Sequence, residues 1–397
     1  MQIESIKIQN YKVFRGAEAQ KLPPMCVFLG ANGSGKSTFF DVFGFLSDAL
    51  RTNVRAALGA RGGWKEVVSR GQNDDILITI KFRNAPKEPI ITYELAVGLM
   101  EGSTLPVVKR EILSYRRGQT GRPFRFLDFA DGVGIAVVNE EEFAQAKQDF
   151  QEQREEFRLD SPDILAIKGL GQFQRFKAIS DFRKLLDNWY VANFQIPDAK
   201  RTQDQGFSER LSSTADNLAQ VADFMFEHHP EMFHRVLEKM QRRVPGVQKV
   251  EAYKSEEGRI VLRFHDGSFK DPFLARYVSD GTLKMFAYLL LLHAPLPYQL
   301  LCIEEPENYL HPDLLMELAE EFREYAASGR QVFISTHSPD FVNALNLDEV
   351  FWLTKNDGYT SIARASDDII ATNLVQEGDN LGALWTQGYL RGSGVGR

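Results

Sequence analysis

Two apolar rhythms run through the chain, one of period two and one of period three to four. Ile3, Ile6 and Ile8 sit among polar residues and predict a first β-strand ending at NYKVF, residues 10–14. MCVFL, residues 25–29, is apolar throughout, which fits a strand buried on both faces. A helix is expected over 39–50. Runs at 76–82, 90–99 and 107–115, joined by short turn-like links, predict an antiparallel meander. Residues 139–160, with EEEFAQAKQDFQEQREEF at their heart, are rich in helix formers and nearly free of aliphatic side chains, so an exposed helix is expected. Residues 179–189 read as a helix, 190–194 as a short strand and 198–213 as a loop. Residues 218–244 read as a helix interrupted at Pro230. A hairpin is expected over 247–253 and 259–265, and a fully apolar helix over 285–292. QLLCIEEPE, residues 299–307, is an apolar strand that ends in carboxylates. Pro312 then starts a helix whose Leu314, Leu315, Leu318, Phe322 and Tyr325 share a face, and Gly329 ends it. A buried strand over 331–334 follows. Leu381, Leu384, Trp385, Tyr389 and Leu390 fall at near-helical spacing and are expected to dock on the body.

The chemistry concentrates at the ends of three apolar strands. GANGSGKST, from Gly30 to Thr38, fits the phosphate-loop pattern G-x-x-x-x-G-K-[ST] and lies between a strand and a helix, as that motif requires. Gly30, Gly33 and Gly35 allow the tight turn that aims backbone N–H groups at phosphate, with Asn32, Ser34 and Thr38 completing the cradle. The helix beginning near Lys36 adds its positive dipole end. Lys36 is placed to reach the β- and γ-phosphates and Ser37 to offer its hydroxyl to Mg²⁺, so the expected cofactors are ATP and Mg²⁺. Glu304 is the second candidate for Mg²⁺, and Glu305 the candidate general base. STHSP follows the strand over 331–334, and His337 is placed to reach the γ-phosphate and the attacking water. Ser279 and Gly281, in YVSDGTLK ahead of the apolar helix, form a second anion-binding helix start. One chain needs one cradle, so the second points to a homodimer in which two ATP molecules are held between two copies.

Composition narrows the partners. The 397 residues carry a formal net charge of −7, which argues against a surface coated in basic charge but leaves room for a local nucleic-acid groove. The basic stretch over 51–70 (Arg51, Arg55, Arg61, Lys65, Arg70) reads either as a solvated helix and loop or as a contact to a phosphate backbone. YRRGQTGRPFRF, residues 115–126, reads either as an exposed turn or as a nucleic-acid or partner contact. His228, His229 and His234 point to different faces and are not expected to bind metal. Cys26 and Cys302 lie in apolar runs and read as buried free thiols. The opening MQIESIKIQN is charged and alternating, unlike a secretory leader, and the longest apolar run is too short for a bilayer. A cytoplasmic protein with no membrane partner is expected.

Taken together, the motifs resemble an ABC-type ATPase of the SMC/RecF class, and more narrowly the stand-alone bacterial AAA-family ATPases related to the OLD family. GANGSGKST matches Walker A, VSDGTLK the signature, LLCIEEPE Walker B, ENYLHP the D-loop and STHSP the His switch. The resemblance implies an α/β fold, a P-loop NTPase of ABC type with a mixed sheet, N-terminal antiparallel strands and a helical second lobe. It implies a division into 1–135 (Walker A and antiparallel strands), 136–272 (helical insertion, second lobe) and 273–397 (signature helix, Walker B, D-loop, His switch and tail). NYKVF resembles the class's N-terminal motif, so Lys12 is expected to face phosphate. The glutamine of the lobe-connecting loop, a further metal ligand, is either Gln172 or Gln72, with Gln172 preferred. The usual Asp of Walker B is Glu304 here, and no TOPRIM nuclease domain is visible. The implied function is an ATP-hydrolysing, dimerising switch in DNA repair or phage defence, working with a separately encoded effector of nuclease or TOPRIM type, with DNA as a possible ligand. A nucleotide-gated scaffold with slow turnover is the alternative.

Overall fold

The computed structural model describes residues 1–85, 88–115, 123–140 and 152–390. Three sheets organise it. The first is antiparallel and eight-stranded. Its strands are β1 (Gln2–Tyr11), β2 (Phe14–Gln20), β4 (Ile76–Arg83), β5 (Ile91–Leu99), β6 (Pro106–Tyr115), β7 (Phe124–Ala130), β8 (Val133–Val137) and β9 (Arg154–Arg158), in the order β2-β1-β4-β5-β6-β7-β8-β9. Period-two patterning sets its register: Ile6 and Ile8 of β1 lie opposite Ile80 and Ile78 of β4, and all four are buried. The expected meander is therefore present as β4, β5 and β6.

The second sheet is six-stranded. Its strands are β10 (Trp189–Ala192), β15 (Leu300–Glu304), β16 (Gln331–Thr336), β3 (Met25–Leu29), β17 (Val350–Asn356) and β18 (Tyr359–Arg364), in that order. All pairs are parallel except β17–β18. Continuous apolar strands are what a sheet covered on both faces needs, and alternate residues feed two separate cores. Cys26, Phe28, Cys302, Phe333 and Phe351 face the first core, beneath the antiparallel sheet. Met25, Val27, Leu29, Ile303 and Ile334 face the second, beneath the apolar helix Asp280–Leu292 and the helices Leu218–His228, Pro230–Arg243 and Pro312–Ala327. The two cysteines are buried and free, as expected. A small third sheet pairs β11 (Gln203–Asp204), β13 (Arg259–Asp266) and β12 (Val247–Lys254), with β14 (Phe273–Leu274) beside β13. It contains the expected hairpin.

Between the two large sheets runs the helix Lys36–Arg51. Its Phe39, Phe40, Phe43, Leu46 and Leu50 are buried at helical spacing. Phe39 meets Phe28 at a ring separation of 4.4 Å, and Phe43 meets Phe333 at 5.6 Å. Burying each such ring contributes about 1.5–3 kcal/mol. This packing fixes the helix's first turn at the end of β3.

Two expected elements differ: the segment 198–213, expected as a loop, contains the short strand β11, and part of the expected exposed helix is a strand. Arg154–Arg158, expected within an exposed helix, is the edge strand β9, with Val133 opposite Arg158 and Ile135 opposite Glu156. Helix-forming residues were overridden by pairing with a free sheet edge. The rest of that expected helix, 141–151, and the tip of the basic hairpin, 116–122, lie outside the described residues. At the other end Leu381, Leu384, Trp385 and Leu390 are buried and Tyr389 is exposed, so the segment 381–390 is docked. No helix among the described residues is long and apolar enough to cross a membrane.

Candidate nucleotide site

Strands β15, β16 and β3 are parallel neighbours, so the loops after them leave the same edge of the sheet. The register puts Glu304 level with Ser335 and Leu29 level with Thr336. That C-terminal edge is where parallel α/β sheets carry their ligands.

The loop after β3 turns through Gly33 (φ 76°) and Gly35 (φ 101°), both left-handed. A Cβ on Gly35 would lie 2.8 Å from Val13 Cγ2 and 3.1 Å from Thr360 Oγ1, whereas one on Gly33 would meet open space. The loop is therefore clamped at its base and open at its crest. Thr360 of β18 completes the clamp by donating its hydroxyl to Ser34 O at 2.8 Å. Gly35 caps the helix Lys36–Arg51, whose first turn holds no acidic residue, leaving the positive end of the dipole uncompensated. Lys36 Nζ donates to Gly30 O (2.7 Å) and Ala31 O (3.2 Å). Burial lowers the pKa of this ammonium, and Glu305, Glu307 and Glu304 oppose that shift. Ser34 Oγ is buried without a partner. Asn32 and Ser37 are exposed and Thr38 is half-buried.

The carboxylates arrive from β15. Ser37 Oγ donates to Glu304 Oε2 at 2.7 Å. Burial raises the pKa of Glu304, and the Ser37 hydrogen bond works against this. The pair is a hydroxyl and a carboxylate, a hard-oxygen donor set that suits Mg²⁺ with phosphate and water completing the shell. Glu305 has φ 44°, an uncommon conformation for a residue with a Cβ, held by its N–H donating to Ser335 O at 2.8 Å. Asn308 Nδ2 donates to Glu305 Oε2 at 2.9 Å, and His337 Nδ1 lies 3.3 Å from Oε1. Loop, Ser37–Glu304 pair and Glu305–His337 pair thus share one edge.

Several residues of this edge were not assigned a role from sequence. Glu307 Oε1 accepts from Thr336 Oγ1 (2.6 Å) and His337 N (3.0 Å), bolting the turn after β15 to the loop after β16. Asn308 orients the Glu305 carboxylate, and Thr360 reaches in from a distant strand. The first two lie in the quoted ENYLHP stretch; for Thr360 the sequence held no signal.

Of the other expected residues, some border this edge and Gln172 lies away from it. Lys12 Nζ is paired with Asp41 Oδ2 at 2.5 Å, beside Arg61 Nε on Asp41 Oδ1 at 2.7 Å, so Lys12 faces a carboxylate of the helix. Gln172 does not join the site, which corrects its assignment as a metal ligand. Its amide donates to Lys168 O, and Lys168 Nζ holds Arg51 O and Thr52 O. That is the C-terminal end of a 16-residue helix, about 24 Å from the loop at its start. Gln72 follows Ser69 and Arg70, whose carbonyl accepts from Tyr359 OH next to Thr360, on the loop's side of the molecule. Ser279 caps the helix Asp280–Leu292, accepting from Thr282 N, and is exposed. Gly281 packs against the turn after β15: a Cβ there would come 2.6 Å from Tyr309 O. The basic stretch over 51–70 is largely paired internally, Arg61 with Asp41 and Asp48, Arg55 with Asp163, Arg70 with Glu66. Among the described residues no cluster of His, Cys, Asp and Glu could hold a metal alone.

Residues 25–343 match the family described as "AAA domain, putative AbiEii toxin, Type IV TA system", which spans both halves of this site. The chain belongs to this AAA family. Its fold is that of an ABC-type ATPase of the SMC/RecF class. The AAA chain is similar to the Smc head in the crystal structure of that head bound to the C-winged-helix domain of ScpA, at 12% identity and TM-score 0.53, over 91% of this chain and 98% of that one. Also similar are the SMC head domain from Thermotoga maritima (11%, TM-score 0.48, 92% and 99% covered) and the Smc head with an extended coiled coil bound to the C-terminal domain of ScpA derived from Pyrococcus furiosus (11%, TM-score 0.49, 94% and 98%). At such identities the likeness is one of fold. No curated protein matches this AAA sequence.

Proposed function

We propose that this chain binds ATP with Mg²⁺, closes as a homodimer around two nucleotides and opens again on hydrolysis. The observation that carries this reading is the single sheet edge shared by an open-crested phosphate loop, the Ser37–Glu304 pair and the Glu305–His337 pair. The fit of the cofactors rests on the same residues: an unpartnered Ser34 hydroxyl, open space over Gly33 and a hard-oxygen donor pair. Lys36 would exchange the Gly30 and Ala31 carbonyls for phosphate oxygens, and Ser37 and Glu304 would hold the metal. Bound Mg²⁺ would draw negative charge from the transferring phosphate. Glu305, its carboxylate oriented by Asn308, would take the proton of the attacking water, with His337 placed against both. In this reading Ser279 and Gly281 contact the nucleotide of the other copy, consistent with Ser279 being exposed and with its side chain bonding, among the described residues, to Thr282 of its own first turn. The three-part division at 135 and 272 belongs to the same proposal.

The biological setting we propose is phage defence or DNA repair, in the cytoplasm, with a separately encoded effector. Support comes from the family's description as a putative toxin of a type IV toxin–antitoxin system and from the matched Smc head, which is bound by ScpA. The test is steady-state turnover of ATP by wild type and Glu305→Gln, with and without double-stranded DNA. Mg²⁺-dependent turnover that falls at least about 100-fold in the variant supports the reading, and stimulation by DNA supports the setting. Equal turnover in both proteins would remove Glu305 from the chemistry.

A further inference from the structure

Lys284 is a buried cation that the mechanism above leaves unused. It lies in the second turn of the helix Asp280–Leu292, with 2% of its surface exposed. Burying an ammonium is costly unless it is fully engaged. Its Nζ donates to Glu305 O at 3.1 Å and lies 5.8 Å from the ring centroids of Tyr288 and Tyr309. Burial lowers its pKa to about 8, while Glu307 and Glu305 pull the other way.

Its partner carbonyl belongs to a strained turn. Glu305 (φ 44°) and Tyr309 (φ 70°) both hold left-handed backbone. Such conformations persist only where the surroundings over-determine them. Here Glu305 O accepts from Asn308 N within the turn and from Lys284 outside it. One turn earlier on the same helix, Gly281 lies so close to Tyr309 O that a Cβ would come within 2.6 Å. The helix start is therefore fastened to the Glu305 turn at two points, one polar and one steric. A shift of the first turn is passed directly to the backbone that carries the Glu305 carboxylate.

We propose that Lys284 is a positioning residue that ties Glu305 of one site to the Ser279–Gly281 helix start. This rests on the dimer reading, in which that helix start grips the nucleotide bound by the other copy. Occupancy of one site then sets the base of the other, so hydrolysis is cooperative in ATP.

The test compares wild type with Lys284→Met, which keeps the length and loses the donor, and with Lys284→Arg, which keeps a donor and the charge. Misplacing a catalytic group by about 1 Å costs on the order of 100-fold. The Met variant is expected to lose about 10- to 100-fold in kcat, with KM and ATP-driven dimerisation changed less than about threefold, and its Hill coefficient is expected to fall to about 1. The Arg variant is expected to recover most of kcat. Wild-type kcat and Hill coefficient in the Met variant would overturn the proposal. So would a Met variant that loses nucleotide binding together with kcat, or an Arg variant as slow as Met with its nucleotide binding intact. Absence of an ATP-driven dimer in wild type would instead overturn the dimer reading, and the coupling with it.

Discussion

Glu304 stands where this class of site usually carries an aspartate, and restoring that residue is expected to damage the site. The Ser37 hydroxyl and the Glu304 carboxylate meet at 2.7 Å. Both ends are fixed, Ser37 by the first turn of a buried helix and Glu304 by β15, which is paired with β10 and β16. Glu304→Asp withdraws the carboxylate by one carbon–carbon bond, about 1.5 Å. Neither element can follow without opening a core of interlocked rings around Phe39 and Phe333. The separation then exceeds about 4 Å, beyond hydrogen-bond reach. A hydrogen bond to a charged group contributes about 1.5–3 kcal/mol, and 1.4 kcal/mol is a factor of ten. If the same two oxygens hold Mg²⁺, affinity for Mg·ATP should fall about 10- to 100-fold. Affinity for ATP in EDTA, which rests on the loop and Lys36, should stay within about threefold. Isothermal titration in both conditions measures the two numbers. An Asp variant that binds Mg·ATP as tightly as wild type would show that Glu304 is not spaced for the metal.

Lys36→Ala should lower nucleotide affinity at least about 100-fold with little change in Tm, because the loop keeps its Thr360 and Gly35 clamps; fluorescence titration with a labelled ATP analogue reads the first and calorimetry the second. Glu321 tests the second core. Burial alone would raise its carboxyl, but His293, Lys239 at 2.7 Å and Arg243 Nη2 at 2.5 Å outweigh that and hold it at about 2, below its ordinary 4.5. A depressed carboxyl gives stability that is complete above about pH 4.5 and is lost as pH falls toward 2, here about 3 kcal/mol. Glu321→Gln should therefore unfold more readily at neutral pH, by about 3–5 kcal/mol in a urea melt, and the gap to wild type should close between pH 4.5 and 2. A gap that stays constant across that window would show that the network does not depend on the ionised carboxylate.

What could be read from sequence was whatever packing dictates locally. MCVFL, LLCIE and QVFIST are apolar because a parallel sheet buries both faces, and phosphate chemistry then marks their ends. Period two gave the meander, and Pro230 marked the division between two helices. REEFR was illegible as a strand because only Phe157 is partly buried; its other side chains face solvent, and pairing with β8 supplies the rest. Gln172 was misplaced because a partner elsewhere in the chain decides where a polar side chain goes, and the partner of Lys12 was equally hidden in the sequence. Asp41 claims Lys12, and Lys168 draws the Gln172 segment to the wrong end of the helix. Glu307, Lys284 and Thr360 act across 21 to 326 residues of chain, separations at which one sequence leaves no pattern.

The mass of Glu305→Gln under saturating Mg·ATP tests the account most directly. Light scattering behind size exclusion should give twice the 45.1 kDa chain with nucleotide and a single chain without it. Adding Ser279→Arg to that variant should abolish the doubling while nucleotide still binds. A Glu305→Gln protein that holds Mg·ATP as a single chain, or a double variant that pairs as well as its parent, would contradict the shared site.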